Sequence, residues 1–417
     1  MKAGNHHVGI LILVFSLLGS SQYFAIISML LFYMLLFRRR ILTQIPHDGL
    51  TSLALMVATG LIFASDNSTY DVAKDLWYIT KVMLVATVGL MVGFRSQPDT
   101  DWLRVTTIYA AVSVLVALVV SIYDASSGAP ARLQPDLAAV VILIFYLRTR
   151  SDKTSGGRMT KWLWLACLLP LIILSESRVT ILVFITAWIG AGYLFRSRIR
   201  VLLATFSLAA MVFVAVPLLP EYDVQNITFL GKVQNSLAEI SFVDTDDLTT
   251  ITANWRGFEA TKAYEMWQAG SLGQKVFGQG LGKPIDIGIY YNLSEDYSVR
   301  ELPILHNGYF MVLVKYGLLG SIFFVIFMMS PFFVRGKMSD PQSRFAQKIG
   351  IVASISLLAT TVTITGPLNL RALDGIVLIM GWAIGQQRQI RMFDQSRFRV
   401  RQLPQQQMAR GVNLAEY

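Results

Sequence analysis

One cysteine in 417 residues, Cys167, lies inside an apolar run, so neither a disulfide framework nor a thiolate metal site can be assembled from this chain. Charge is scarce as well. Only 15% of the residues are Asp, Glu, Lys or Arg, against about 25% in an ordinary soluble domain, which argues against a soluble globular chain. No internal repeat is visible, and the basic, Gln-rich tail from Gln386 to Gln407 is the one low-complexity segment. That tail is expected to be disordered or bound to acidic lipid headgroups. What is abundant is apolar sequence, at 54% of residues. Apolar stretches recur from Val8 to Ile384, most of them long enough to cross a hydrocarbon core of about 30 Å as a helix. The net charge of +10 is carried by short loops between these runs, which is how membrane topology is written, and it therefore gives no reason to expect a nucleic-acid partner.

The runs predict an all-α polytopic membrane protein of about twelve transmembrane helices, near 8–21, 22–37, 50–64, 75–94, 103–123, 134–148, 161–175, 178–195, 201–219, 306–333, 347–365 and 371–386. The first two could be one long tilted helix, leaving eleven. Lys2, the run Val8 to Leu18 and the small residues Gly19, Ser20 and Ser21 resemble a signal peptide, but hydrophobicity resumes at Tyr23, which favours a membrane hairpin over cleavage. With an internal N-terminus, 24 of the 36 Lys and Arg residues fall on the cytoplasmic side and ten outside. Eleven spans would move only the N-terminus. The chain thus divides into helices 1–9 over 1–219, one large periplasmic loop over 220–305, helices 10–12 over 306–386 and a cytoplasmic basic tail over 387–417, with both termini cytoplasmic in a bacterial inner membrane.

The long loop carries twelve acidic residues against six basic, so it is expected to be a solvated outer feature. Within it, Asn254 to Gln268 has helical composition. Trp255, Phe258, Ala263, Met266 and Trp267 fall on one broad side, which predicts an amphipathic helix lying on the bilayer; Glu259 and Lys262 interrupt that side.

Four groups fall at the outer ends of different spans or in this loop: Arg178 in Ser175-Glu176-Ser177-Arg178, Arg256 in Asn254-Trp255-Arg256, His306 in His306-Asn307-Gly308-Tyr309-Phe310, and Arg371 in Asn369-Leu370-Arg371. Basic residues outside oppose the positive-inside bias, so several at one depth ask for an anionic partner such as a diphosphate. Each has a plainer reading. Arg178 could snorkel or pair with Glu176, Arg256 could be a surface residue, His306 could be interfacial and Arg371 could mark a helix boundary.

Taken together, Ser177-Arg178-Val179-Thr180, the run Arg256 to Gly282 ending in Gly278-Gln279-Gly280-Leu281-Gly282, and His306-Asn307-Gly308-Tyr309-Phe310 followed by Gly317 and Gly320 resemble the O-antigen ligase and polymerase superfamily of integral-membrane glycosyltransferases. The resemblance spans roughly residues 130–385. It implies transfer of a glycan from an undecaprenyl-diphosphate carrier to a hydroxyl of a glycan or lipid A-core acceptor, with no cofactor, nucleotide sugar or metal, among membrane lipids and with a chain-length regulator as a candidate partner. In that reaction a sugar hydroxyl must lose its proton as it attacks the anomeric carbon, so His306 is the expected general base. The departing lipid diphosphate gathers negative charge, which the guanidinium groups of Arg178 and Arg256 would stabilise, with Arg371 a further clamp and Arg132, in Ala131-Arg132-Leu133-Gln134-Pro135, a weaker one. The wording of the His-Asn-Gly-Tyr-Phe motif leans towards a polymerase; one large outer loop is the ligase-like feature.

Other motifs have simpler readings. Gly278-Gln279-Gly280-Leu281-Gly282 resembles a nucleotide loop, but no preceding strand or following helix pattern supports a dinucleotide fold, and a tight turn is expected. Asp244-Thr245-Asp246-Asp247 lacks further placed ligands for a metal and reads as an acidic loop. Lys315 lies nine residues beyond His306 in one helix and points to the opposite side, so structural pairing or access to a cavity is expected of it, and likewise of Lys81. A transporter or lipid-linked glycan flippase remains the alternative function, and it would place its polar groups near the membrane midplane.

Overall fold

In a computed structural model of the chain, the structure describes residues 48–95, 110–119, 122–123, 126, 137–149, 167, 177–192, 247–294, 297–334, 341–368 and 373–409. These are mostly helical. In chain order they form α1 (Asp48–Leu61), α2 (Thr69–Arg95), α3 (Leu137–Thr149), α4 (Arg178–Gly192), α5 (Leu248–Ala253), α6 (Trp255–Ala269), α7 (Leu272–Phe277), β1 (Ile285–Ser294), β2 (Tyr297–Leu302), α8 (Gly308–Met328), α9 (Ser330–Phe333), α10 (Pro341–Thr360) and α11 (Asp374–Ala409). Two of them, over Thr69–Phe94 and Gly308–Met328, are long and apolar enough to cross a membrane, and Gly49–Leu61, Ala110–Val119 and Val179–Gly190 are shorter apolar helices. The expected spans near 8–21, 22–37 and 201–219 lie outside the described residues, as does nearly all of 161–175.

Lipid offers helices no hydrophobic reason to associate, so close backbone approach and interhelical hydrogen bonds hold them together. The chain supplies both. Gly89 and Gly93 on α2 face Gly381 and Gly385 on α11, each pair spaced by four, and a Cβ on any of the four would strike a backbone atom of the partner helix. The same two helices are joined by an ion pair, Lys81 Nζ to Asp374 Oδ1 at 2.9 Å, with both side chains buried. Between α4 and α10 the hydroxyls of Thr186 and Ser356 meet at 3.1 Å, and Gly190 takes the Val352 side chain against its backbone.

Three expectations need correction. The fold is mostly helical but not all-α: β1 and β2 form an antiparallel hairpin with Ile285 opposite Leu302. Its cause is legible in Ile285-Asp286-Ile287-Gly288-Ile289-Tyr290, where Ile285 and Ile287 are fully buried and Tyr290 is exposed, the period-two alternation of a half-buried strand. Of the two readings of the basic tail, disordered or bound to acidic lipid headgroups, the first is overturned, because α11 runs unbroken from Asp374 to Ala409, across the expected boundary at residue 386. Lastly, α6 does not lay its apolar side on a lipid surface. It packs on α8 and β1, burying Phe258 and Ala263, while Trp255 meets the Tyr291 ring with centroids 4.2 Å apart.

Candidate functional site

The segment before β1 is fastened to α8 through an interruption in that helix. Gly317 adopts φ 69°, ψ −172° in the middle of α8, and a residue so placed cannot continue the helical hydrogen-bond ladder. The Val314 and Lys315 carbonyls instead accept from Gln279 N–H at 2.8 Å and Gly280 N–H at 3.2 Å. The glycine run is thus a turn of backbone laid on backbone. Gly278, Gly280 and Gly282 all have positive φ, which side chains rarely adopt, and a Cβ on them would strike Lys315, Phe63 and Val72 respectively. Asn67 closes the turn from α1's side, its amide donating to the Gln279 and Leu281 carbonyls at 3.1 and 2.9 Å.

Beneath the turn, Lys315 Nζ donates to both Asp75 oxygens at 2.9 and 2.8 Å and to the Pro303 carbonyl at 2.7 Å. Asp75 Oδ2 also accepts from Gly282 N–H at 2.7 Å. All three ammonium protons have acceptors, which a charge at this depth requires. Lys315 and Lys81 are therefore structural pairs, the first of the two readings open to them.

Pro303 leads directly into the His306 motif, and each residue of that motif has a local reason. Asn307 caps α8, its Oδ1 accepting from Tyr309 N–H at 3.1 Å and Phe310 N–H at 3.3 Å. Gly308 N–H donates to the Thr361 carbonyl at 2.9 Å, and a Cβ there would strike Thr365. Tyr309 Oη donates to the Leu358 carbonyl at 2.8 Å, and Phe310 sits edge-on to Tyr264. His306 stands one residue before the cap, so the helix start fixes its backbone while leaving its ring at the surface.

Glu259 holds that ring. Its Oε2 accepts from the His306 backbone N–H at 3.0 Å, and imidazole Nδ1 lies 3.1 Å from Oε2 and 3.2 Å from Oε1. The Glu259 side chain is 2% exposed and the His306 side chain 48%, so one edge of the imidazole faces a buried carboxylate and the other faces outward. In the sequence, Glu259 is visible only as an interruption of an apolar helix side. That interruption was the available signal: an acid on a buried face needs a partner.

The arginines are placed unequally. Arg256 is half-buried on α6, three residues before Glu259 and so on the same side of that helix. Arg178 is the first residue of α4. The pairs Thr186 with Ser356 and Gly190 with Val352 define an antiparallel register with α10, and eight residues further on it sets Arg178 level with Ile364. The carbonyls of Ile364 and Thr361 accept from Gly308 N–H, and Thr365 Oγ1 donates to Leu305 O. The start of α4, the end of α10 and the His306 turn therefore lie at one end of the helices. Arg132 and Arg371 lie outside the described residues, as do Asp244 and Asp246. Asp247 caps α5, accepting from Thr250 N–H at 3.0 Å.

Residues 163–325 match the family model described as O-Antigen ligase, which supports the resemblance to the O-antigen ligase and polymerase superfamily. No curated protein matches the chain. The matched span takes in Arg178, Arg256, Glu259 and His306, and leaves Arg132 and Arg371 outside.

Proposed function

We propose, on the premise that residues 163–325 form an O-antigen ligase domain, that this protein transfers an undecaprenyl-diphosphate-linked glycan to an acceptor glycan hydroxyl at the periplasmic face of a bacterial inner membrane. Extension of a polymer is preferred over ligation onto lipid A-core. The observation that carries the reading is His306, half-exposed at the start of an apolar helix and inside the matched span.

In this reading the acceptor hydroxyl gives its proton to the exposed edge of the imidazole as its oxygen attacks the anomeric carbon. The bond from that carbon to the carrier's phosphate oxygen breaks, and its electron pair leaves with the lipid diphosphate. Arg178 and Arg256 offer forked, permanently charged donors to the oxygens that gain charge. Arg371 and Arg132 serve as outer clamps. The chain is multi-pass with both termini cytoplasmic, and a chain-length regulator is a natural partner for a polymerase.

The alternative, a transporter or glycan flippase, finds one feature in its favour: α8 is interrupted near mid-span, as substrate-binding helices of transporters are. The carbonyls freed at that break are, however, occupied by Gln279 and Gly280 N–H groups. The glycine turn fills the place where an ion would be coordinated.

Purified protein in detergent, given lipid extract from cells lacking the gene, is expected to join glycans with no ion gradient, and His306→Ala to be inactive while still folded. Full transfer by His306→Ala, or translocation without transfer, sinks the reading. A surface-glycan gel separates polymerase from ligase: single attached repeats follow loss of a polymerase, and unattached lipid-linked polymer follows loss of a ligase.

A further inference from the structure

We infer that Glu259 is the positioning residue of the proposed base, fixing His306 in the tautomer that carries its proton on Nδ1 and leaves Nε2 free to accept; this rests on the transfer reading above.

A carboxylate is acceptor-only, whereas a neutral imidazole has one donor nitrogen and one acceptor nitrogen. Nδ1 lies within 3.2 Å of both Glu259 oxygens, so it must be the donor, and Nε2 is left as the acceptor. The backbone adds a second constraint. The His306 N–H also donates to Glu259 Oε2 at 3.0 Å, so one carboxylate grips main chain and ring together and restricts rotation about the side-chain bonds. Burial gives the grip its strength, because Glu259 is 2% exposed and has little water to turn to.

Glu259 has a double effect on the reaction. Before transfer it keeps the lone pair on the outward nitrogen. As the acceptor O–H bond breaks and Nε2 takes the proton, the ring becomes an imidazolium with a buried negative charge against its other nitrogen, which lowers the energy of that state. The proton then leaves from Nε2 to solvent or to the released diphosphate, and the ring returns to its starting tautomer. Glu259 keeps its charge throughout and touches neither sugar.

Glutamine is the informative replacement. Glu259→Gln keeps length and shape, and its oxygen can still take the backbone N–H. Its amide nitrogen, set in the place of Oε1, would donate to Nδ1 and favour the opposite tautomer with Nε2 protonated. The expected outcome is a fall in kcat of about tenfold or more with KM within about twofold, using glycan-bearing lipid extract as the probe, while helical circular dichroism and elution match the parent protein.

The second readout needs no activity. The chain has four histidines, and 15N-histidine spectra with a His306→Ala reference identify the His306 ring. The parent protein is expected to show protonated Nδ1 and unprotonated Nε2. A parent ring protonated on Nε2, or a folded Glu259→Gln that loses less than about tenfold in kcat while His306→Ala is inactive, overturns the inference. Full transfer by His306→Ala overturns the functional reading instead, whatever the tautomer, so the two failures are distinguishable.

Discussion

Gly278 and Gly317 lock together main chain to main chain: a Cβ on Gly317 would strike the Gly278 nitrogen, and one on Gly278 would strike the Lys315 carbonyl two residues before Gly317. Both have positive φ. Replacing Gly317 by Ala adds the cost of a left-handed conformation to that of an overpacked contact, about 2–5 kcal/mol together. A much lower Tm in detergent is the expected result, and an unchanged Tm would mean that the turn is not seated on α8.

Lys315 and Asp75 form a buried pair with no spare charge. Lys315→Met strands the Asp75 carboxylate and is expected to cost about 3–5 kcal/mol. Adding Asp75→Leu removes the stranded charge, so the double variant should be more stable than the single one, with the Gly282 N–H and Pro303 carbonyl still short of partners. Thermal unfolding of the three proteins checks the order.

The glycine faces of α2 and α11 leave no room for side chains. Gly93→Leu is expected to push the helices apart and lower stability by about 3 kcal/mol. Gly288→Ala adds only a methyl group, where a Cβ meets open space, although its φ of 77° still strains it. It should cost less, about 1–2 kcal/mol, as comparative thermal unfolding would show.

Arg178 begins α4 level with the His306 turn. If it clamps the departing diphosphate, Arg178→Lys keeps the charge but loses the fork, and kcat/KM should fall by about tenfold or more with folding unchanged. Parent-like transfer by this variant would remove Arg178 from the site.

On the hairpin, Arg300 donates to both oxygens of Asp286. That hydrogen bond first, and then Gly288 N–H, hold the Asp286 carboxyl below its ordinary value of 3.8. A folded value lower than the unfolded one means that the pair stabilises the hairpin above that ordinary value. The stabilisation fades as pH falls through the depressed folded value. Hydrogen exchange over residues 285–302 should separate the parent from Arg300→Gln near neutral pH and bring the two together in acid.

Much of the helical frame was legible because apolar length and loop charge are local properties. So was the placement of His306 at a helix start, since its neighbours supply the helix cap, the small residue and the aromatic contacts. Glu259 was hidden because its partner lies 47 residues away, and on its own helix an acid among apolar residues looks like a flaw in the pattern. The glycine pairs of α2 and α11 were hidden for a related reason, since each makes sense only against a helix nearly 300 residues distant. The hairpin's period-two alternation is short and stands among long helical runs, so the helical period of the chain as a whole masks it.

The seam between the glycine turn and α8 has a mechanical consequence. Hydrogen bonds from the turn's backbone, without side chains that could swing aside, tie the region before β1 to the helix that starts just after His306. A hinged cover built on that turn has nothing to pivot about. In a transferase of the proposed kind the base stays still, and it is the growing sugar chain that must shift its footing between one coupling and the next.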